Sequence, residues 1–131
     1  MGNITEISVL ICPYCAHPAQ WVQNKEVYGQ NYGKSYMIWL CKDCDAYVGC
    51  HMNTKQPLGT MANRELRDWR KKAHAAFDPI WLYTGKKERY QAYQWLTKQL
   101  GLTQQVHIGE ADIETCQRII RVSWDRRNQM K

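Results

Sequence analysis

The apolar positions of this chain change period near its middle. In the first half they come in short, strand-like runs. Gln20 to Tyr28 carries Trp21, Val22 and Val27, Gly29-Gln-Asn-Tyr-Gly33 supplies turn residues, and Ser35 to Leu40 is an apolar and aromatic run. Runs of this length, bounded by glycine and asparagine, predict a β-hairpin. Ala46 to Gly49 predicts a third short strand. From Thr60 onward the spacing becomes helical. Ala62, Leu66, Trp69, Ala73, Ala76 and Phe77 fall on one face, with Thr60 as N-cap and Asp78-Pro79 as the stop. A second helix is predicted from Lys86 to Leu100, burying Ala92, Tyr93, Leu96 and Leu100, with Gly101 as its C-terminal cap. A third begins at Asp112, its N-cap, and repeats Ile113, Cys116, Ile120 and Trp124 before ending in Arg126-Arg127. Val106-His107-Ile108 reads as a short extended segment between the last two helices.

These elements predict an α+β fold, a β-hairpin plus a third short strand packed against a C-terminal three-helix unit. Three short helices cannot bury their apolar stripes alone and need one another and the strands. Lys55-Gln56-Pro57-Leu58-Gly59 is the clearest boundary and divides residues 1–56 from 57–131. It is too short to let the halves move freely, which predicts one compact domain. No apolar run approaches the roughly 20 residues of a membrane helix. Met1 to Leu10 lacks the basic start and long apolar stretch of a secretory signal. A soluble, cytoplasmic protein is expected.

The cysteines change the picture most. Cys12-Pro-Tyr-Cys15 and Cys41-Lys-Asp-Cys44 are two C-x2-C pairs with 25 residues between them. Zn²⁺ prefers four N or S ligands in a tetrahedron, and each C-x2-C turn offers two thiolates to one side of the ion. With the hairpin joining them, Cys12, Cys15, Cys41 and Cys44 predict a zinc ribbon around one structural ion. Three rivals compete with this reading. Cys12-Pro-Tyr-Cys15 after Val9-Leu10-Ile11 imitates a glutaredoxin active site, but a redox pair should open a helix, and Pro18 and a strand-like stretch follow instead. Structural disulfides need an oxidising compartment that nothing here indicates. His17 or Cys50 could also replace one of the four ligands. Otherwise Cys50 and Cys116 read as small buried apolar residues.

Charge divides the chain at the same place. The formal net charge is +6, and residues 1–58 contribute nothing to it: Lys25, Lys34, Lys42 and Lys55 balance Glu6, Glu26, Asp43 and Asp45. The whole excess lies in residues 59–131, so a neutral, metal-held front precedes a basic back.

Several segments resemble a known family. They are Asp45-Ala-Tyr-Val-Gly-Cys-His51, Pro57-Leu-Gly-Thr60, Ala62-Asn63, Glu65-Leu-Arg67, Ala73-His74, Phe77-Asp78-Pro79, Ala92-Tyr-Gln-Trp-Leu96 and His107-Ile-Gly109. Together they resemble small zinc-finger-containing proteins of phages and bacteria, over about Cys12 to Ile120. That family often has a cysteine before the His-Ile-Gly step, where this chain has Val106. The resemblance implies a zinc ribbon fused to helices and a phage-type origin, with the bacterial host cell as its place of action. It implies no reaction.

Three functions compete. The first is nucleic-acid binding, to DNA or RNA, through a basic helical face: Arg64, Arg67, Arg70, Lys71 and Lys72, with Lys86, Lys87 and Arg89, could track a phosphate backbone. Tyr28, Tyr32 and Tyr36 would offer stacking surfaces if they project from the hairpin. Against this, a basic helix face is commonly a solvated surface and aromatics beside zinc turns commonly belong to the core. The second is a phage-type interaction module that docks on and modulates a host protein, using aromatics and arginines of the type enriched at hot spots. The third is a His-dependent phosphodiesterase or nuclease built from His51, His74 and His107 near Asp45 and Asp78, which requires the three imidazoles to converge. Lone histidines are commonly structural, and His74, beside Ala73 and Phe77, suits a partly buried position. No phosphate-cradling glycine loop, Ser/His/Asp order or H-E-x-x-H is present, so the reading leans away from an enzyme. Gly49-Cys-His-Met-Asn-Thr54 through Pro57-Leu-Gly-Thr60 suits either a ligand-binding loop or a connector that caps the following helix, whose N-terminus would attract an anion. Composition leaves oligomeric state open.

Overall fold

The structure, a computed structural model, describes residues 9–82 and 86–130. Most of the Met1 to Leu10 segment, and the side chain of Lys86, lie outside the described residues. The chain divides into two compact units, one ending at Arg64 and the other beginning at Glu65.

The first unit holds a three-stranded antiparallel sheet of order β1 (Gln20–Gln23), β2 (Met37–Cys41), β3 (Ala46–Gly49). The central strand β2 buries Ile38, Trp39, Leu40 and Cys41 in succession, as a strand covered on both faces must. The outer strand β3 alternates instead, with Ala46 and Val48 buried. Trp21 lies opposite Trp39 across β1 and β2, with ring centroids 5.0 Å apart. Cys12, Cys41 and Cys50 are themselves buried core residues, packed with Ala19, Trp39, Ala46, Val48 and Met61.

The expected first strand, Gln20 to Tyr28, is interrupted. It ends at Gln23, and Lys25–Tyr28 forms one helical turn. Buried Asn24 causes the change. Its carbonyl accepts from the amides of Val27 and Tyr28, and its side chain exchanges two bonds with the Tyr32 backbone. An asparagine satisfied in this way offers the backbone an alternative to the ladder. Gly29, at φ 84°, then closes the turn.

The second unit is helical: α1 (Arg64–Phe77, whose first residue belongs to the preceding unit), α2 (Lys86–Gln99) and α3 (Ile113–Gln129). Its core gathers Phe77, Tyr93, Leu96, Leu100, Ile108, Cys116 and Ile119, with the Phe77 and Tyr93 rings edge to face at 4.7 Å. Two expected caps are present. The Asp112 carboxylate accepts from the Thr115 amide at 2.8 Å. Gly101, at φ 70°, ends α2 with Gly101 donating to Lys98 and Leu102 donating to Thr97, the paired bonds of a Schellman stop.

Two helical expectations need correction. The first helix starts at Arg64, not at Thr60, because Ala62 exchanges both backbone bonds with Tyr47 and so extends the sheet. The buried face of α3 is Cys116, Ile119 and Ser123, while Ile120 is half-buried and Trp124 is exposed with the Arg127 guanidinium 3.9 Å from its ring centre. Of Val106-His107-Ile108, His107 is extended but Ile108 opens a short 3-10 turn to Glu110. Among the described residues no helix is long and apolar enough to cross a membrane.

Candidate metal centre

Two turns present the four sulfurs. The first is the tip of a small loop closed by pairing of Ile11 with Pro18, where the Ala16 amide donates to the Cys12 carbonyl at 2.9 Å. The second is the β2–β3 connection itself: Cys41 ends β2 opposite Ala46, and Lys42 to Asp45 form the turn. The hairpin between the pairs brings the turns together. The Sγ atoms of Cys12, Cys15, Cys41 and Cys44 all lie within 4.8 Å of one another. Among the described residues, no other group of three or more thiols, imidazoles and carboxylates is gathered this closely.

The spacing identifies the chemistry. The Cys15 and Cys41 sulfurs are 3.7 Å apart. A tetrahedron of Zn–S bonds about 2.3 Å long has edges of about 3.8 Å, whereas a disulfide would need about 2.05 Å. All six cysteines are free. The four sulfurs fit one structural zinc ion, and the fold is that of a zinc ribbon. Burial and the neighbouring Cys15, Cys41 and Cys12 thiols push the Cys44 thiol up to about 12. Cys41 is also raised: the Cys44 amide pulls it down, but burial and the adjoining thiols outweigh that. Burial works against ionising Cys12 too, yet the Tyr14 and Cys15 amides leave it lowered. Thiols this crowded resist ionising together without a cation between them.

The rival ligands lie elsewhere. His17 is exposed and outside the group, and the Cys50 thiol points to the Lys55 carbonyl at 3.7 Å.

The basic residues divide by their surroundings. On α1, Arg64 and Lys71 are exposed and Arg67 is half-buried, at the i, i+3, i+7 spacing of one stripe. Half-buried Arg70 donates to the Ala111 carbonyl at 2.9 Å. Lys72 lies 4.6 Å from the Trp69 ring centre, and Arg89 lies 5.2 Å from both Trp81 and Tyr93. Lys87 is exposed. Exposed Arg121 and Arg126 on α3 were not among the sequence-derived candidates, although Arg126 ends the predicted helix.

His51 belongs to the first unit and His74 and His107 to the second; all three are exposed. His74 is therefore not the partly buried residue expected; its Nδ1 lies 3.2 Å from the Asp78 carboxylate one helical turn on. Tyr28, Tyr32 and Tyr36 do project from the first unit. Tyr28 meets Tyr32 edge to face at 5.5 Å and Tyr47 at 6.1 Å.

No curated protein and no solved structure matches the chain. One family does, over residues 8–126, which include both cysteine pairs and all three helices almost to their end. This chain belongs to the zinc-finger-containing domain family.

Proposed function

We propose that the chain binds nucleic acid, with the helical unit holding the phosphate backbone and a zinc ion on Cys12, Cys15, Cys41 and Cys44 fixing the sheet as a rigid platform. The observation that carries this reading is the one-sided charge: the whole +6 lies in residues 59–131. Exposed Arg64 and Lys71 lie two helical turns apart along α1, and exposed Lys87, Arg121 and Arg126 add positive charge on α2 and α3. Cations spaced along a surface in this way release counterions from a phosphate chain. Arg70, Lys72 and Arg89 are given a structural share, since each already meets a carbonyl or a ring. The imidazoles are given no catalytic role.

Binding of random-sequence DNA and RNA to the full zinc-loaded chain, followed by fluorescence anisotropy at rising salt, tests the reading. Arg64→Glu with Lys71→Glu should weaken both and reduce the slope of log affinity on log salt by about 2. Absence of binding to either polymer at low salt would end it. A second reading, a phage-type module docking on a host protein, draws on exposed Tyr28 and Tyr32, which gather with half-buried Tyr47, since tyrosines are favoured hot-spot residues. Under that reading, a host protein captured from bacterial lysate would survive nuclease digestion.

A further inference from the structure

The first unit carries a cleft of about 280 Å³ whose lining includes Trp21, Lys34, Tyr36, Asn53, Thr54 and Lys55. Two cations and no carboxylate line it. It draws on β1, the loop before β2 and the loop after β3, so three separate stretches of sequence build it. Its far wall is firmly held. The Trp39 indole donates to the Lys55 carbonyl at 2.9 Å, and the Thr54 hydroxyl donates to the His51 carbonyl at 2.9 Å while accepting from the Gln56 amide. The near wall is held as well, because the Ser35 hydroxyl donates to the Cys50 carbonyl at 3.0 Å. Lys55 Nζ stands 5.7 Å from the centre of the Trp21 ring. Tyr36 is exposed at the rim.

Flat rings beside two ammonium groups and neutral hydrogen-bonding side chains suit a planar heterocycle that carries an anion. The volume is below that of sites for drug-sized ligands, which leaves room for one base, not a large cofactor. A base can reach the rings only when it is free of a duplex stack. We propose that this cleft seats one nucleotide of a single strand, its base against Tyr36 and Trp21 and its phosphate at Lys34, with Lys55 held over the Trp21 ring. The assignment rests on the reading of the chain as a nucleic-acid binder and makes that binding selective for unpaired strands. The helical cations supply sequence-blind attraction, and the cleft supplies the preference.

The test uses the full zinc-loaded chain with dye-labelled oligothymidine and a duplex of equal length. The wild-type protein should favour the single strand. Tyr36→Ala with Lys34→Gln, both exposed positions, should weaken single-strand binding about tenfold and change duplex binding less than about twofold. Tyr36→Phe, which keeps a ring, should retain the preference. Zinc content and circular dichroism of each variant establish that the ribbon is intact, and the Trp21 indole N–H resonance should shift on adding the strand. Equal affinity for strand and duplex, unchanged in the double variant, would overturn the cleft and leave the nucleic-acid reading standing. No binding of either polymer at low salt would overturn both.

Discussion

The Arg70 guanidinium donates to the Ala111 carbonyl at 2.9 Å, tying α1 to the residue just before the N-cap of α3. From sequence alone Arg70 is indistinguishable from Lys71, its exposed neighbour. Their substitution should separate them. Arg70→Ala should cost about 2 kcal/mol in urea unfolding, the range for a charge-assisted hydrogen bond to a partly buried carbonyl. Lys71→Ala should stay within about 0.5 kcal/mol of wild type, as exposed positions do. If Lys71→Ala proves the more destabilising, the division of the basic residues into structural and surface groups is wrong.

Removal of the metal provides a second test. The purified chain should hold one zinc ion, measured by plasma emission. Serine at Cys12, Cys15, Cys41 or Cys44 should abolish retention. Cys50→Ala and Cys116→Ala should keep the ion, since neither belongs to the group of four. Chelation should also change tryptophan fluorescence, because Trp39 packs in the same core as Cys12 and Cys41.

Acid sensitivity of α3 is expected at its first turn. The Asp112 carboxyl lies below its usual value because the Thr115 side chain and amide bond to its charged form. A carboxyl lowered in the folded state adds stability above its unfolded pKa and loses it as pH falls through the folded value. Asp112→Ala should therefore cost about 1 kcal/mol near neutrality, the usual worth of a cap. The difference from wild type should begin to shrink as pH falls below the ordinary aspartate value and should vanish only below the lowered, folded one. A deficit that persists unchanged in acid would assign the loss to packing instead of the cap.

Much of this architecture is legible in the residue pattern, for reasons that are local. Each C-x2-C pair encodes its own turn, Ala46 to Gly49 its own alternation, and Asp112 and Gly101 their own helix ends. What escapes is set by partners distant in sequence. Ala62 fits a helical spacing as well as a strand, and only its pairing with Tyr47 decides. Ser123 and Ile119 face the α3 core, a stripe disguised by the polar serine, while the more apolar Trp124 lies outside. Asn24 offered one readable signal, an asparagine inside an otherwise extended run. Nothing local marks Arg118, whose guanidinium meets the Leu100 carbonyl at 2.7 Å and so completes the end of α2. Trp21 and Lys55, far apart in sequence, share a cleft for the same reason.

The two cysteine turns share a backbone feature whose effect reaches beyond geometry. The residue after each second cysteine, Ala16 at φ 65° and Asp45 at φ 51°, sits in the left-handed region without being glycine. An alanine held there costs about 1 kcal/mol. Aspartate tolerates this region, but the Ala16 bend is not one the free polypeptide would choose for itself, so a zinc ion held there would work as a fastener on one reluctant hinge, its grip spent partly against the chain. Ala16→Gly should free that share and slow zinc loss to a competing chelator about fivefold.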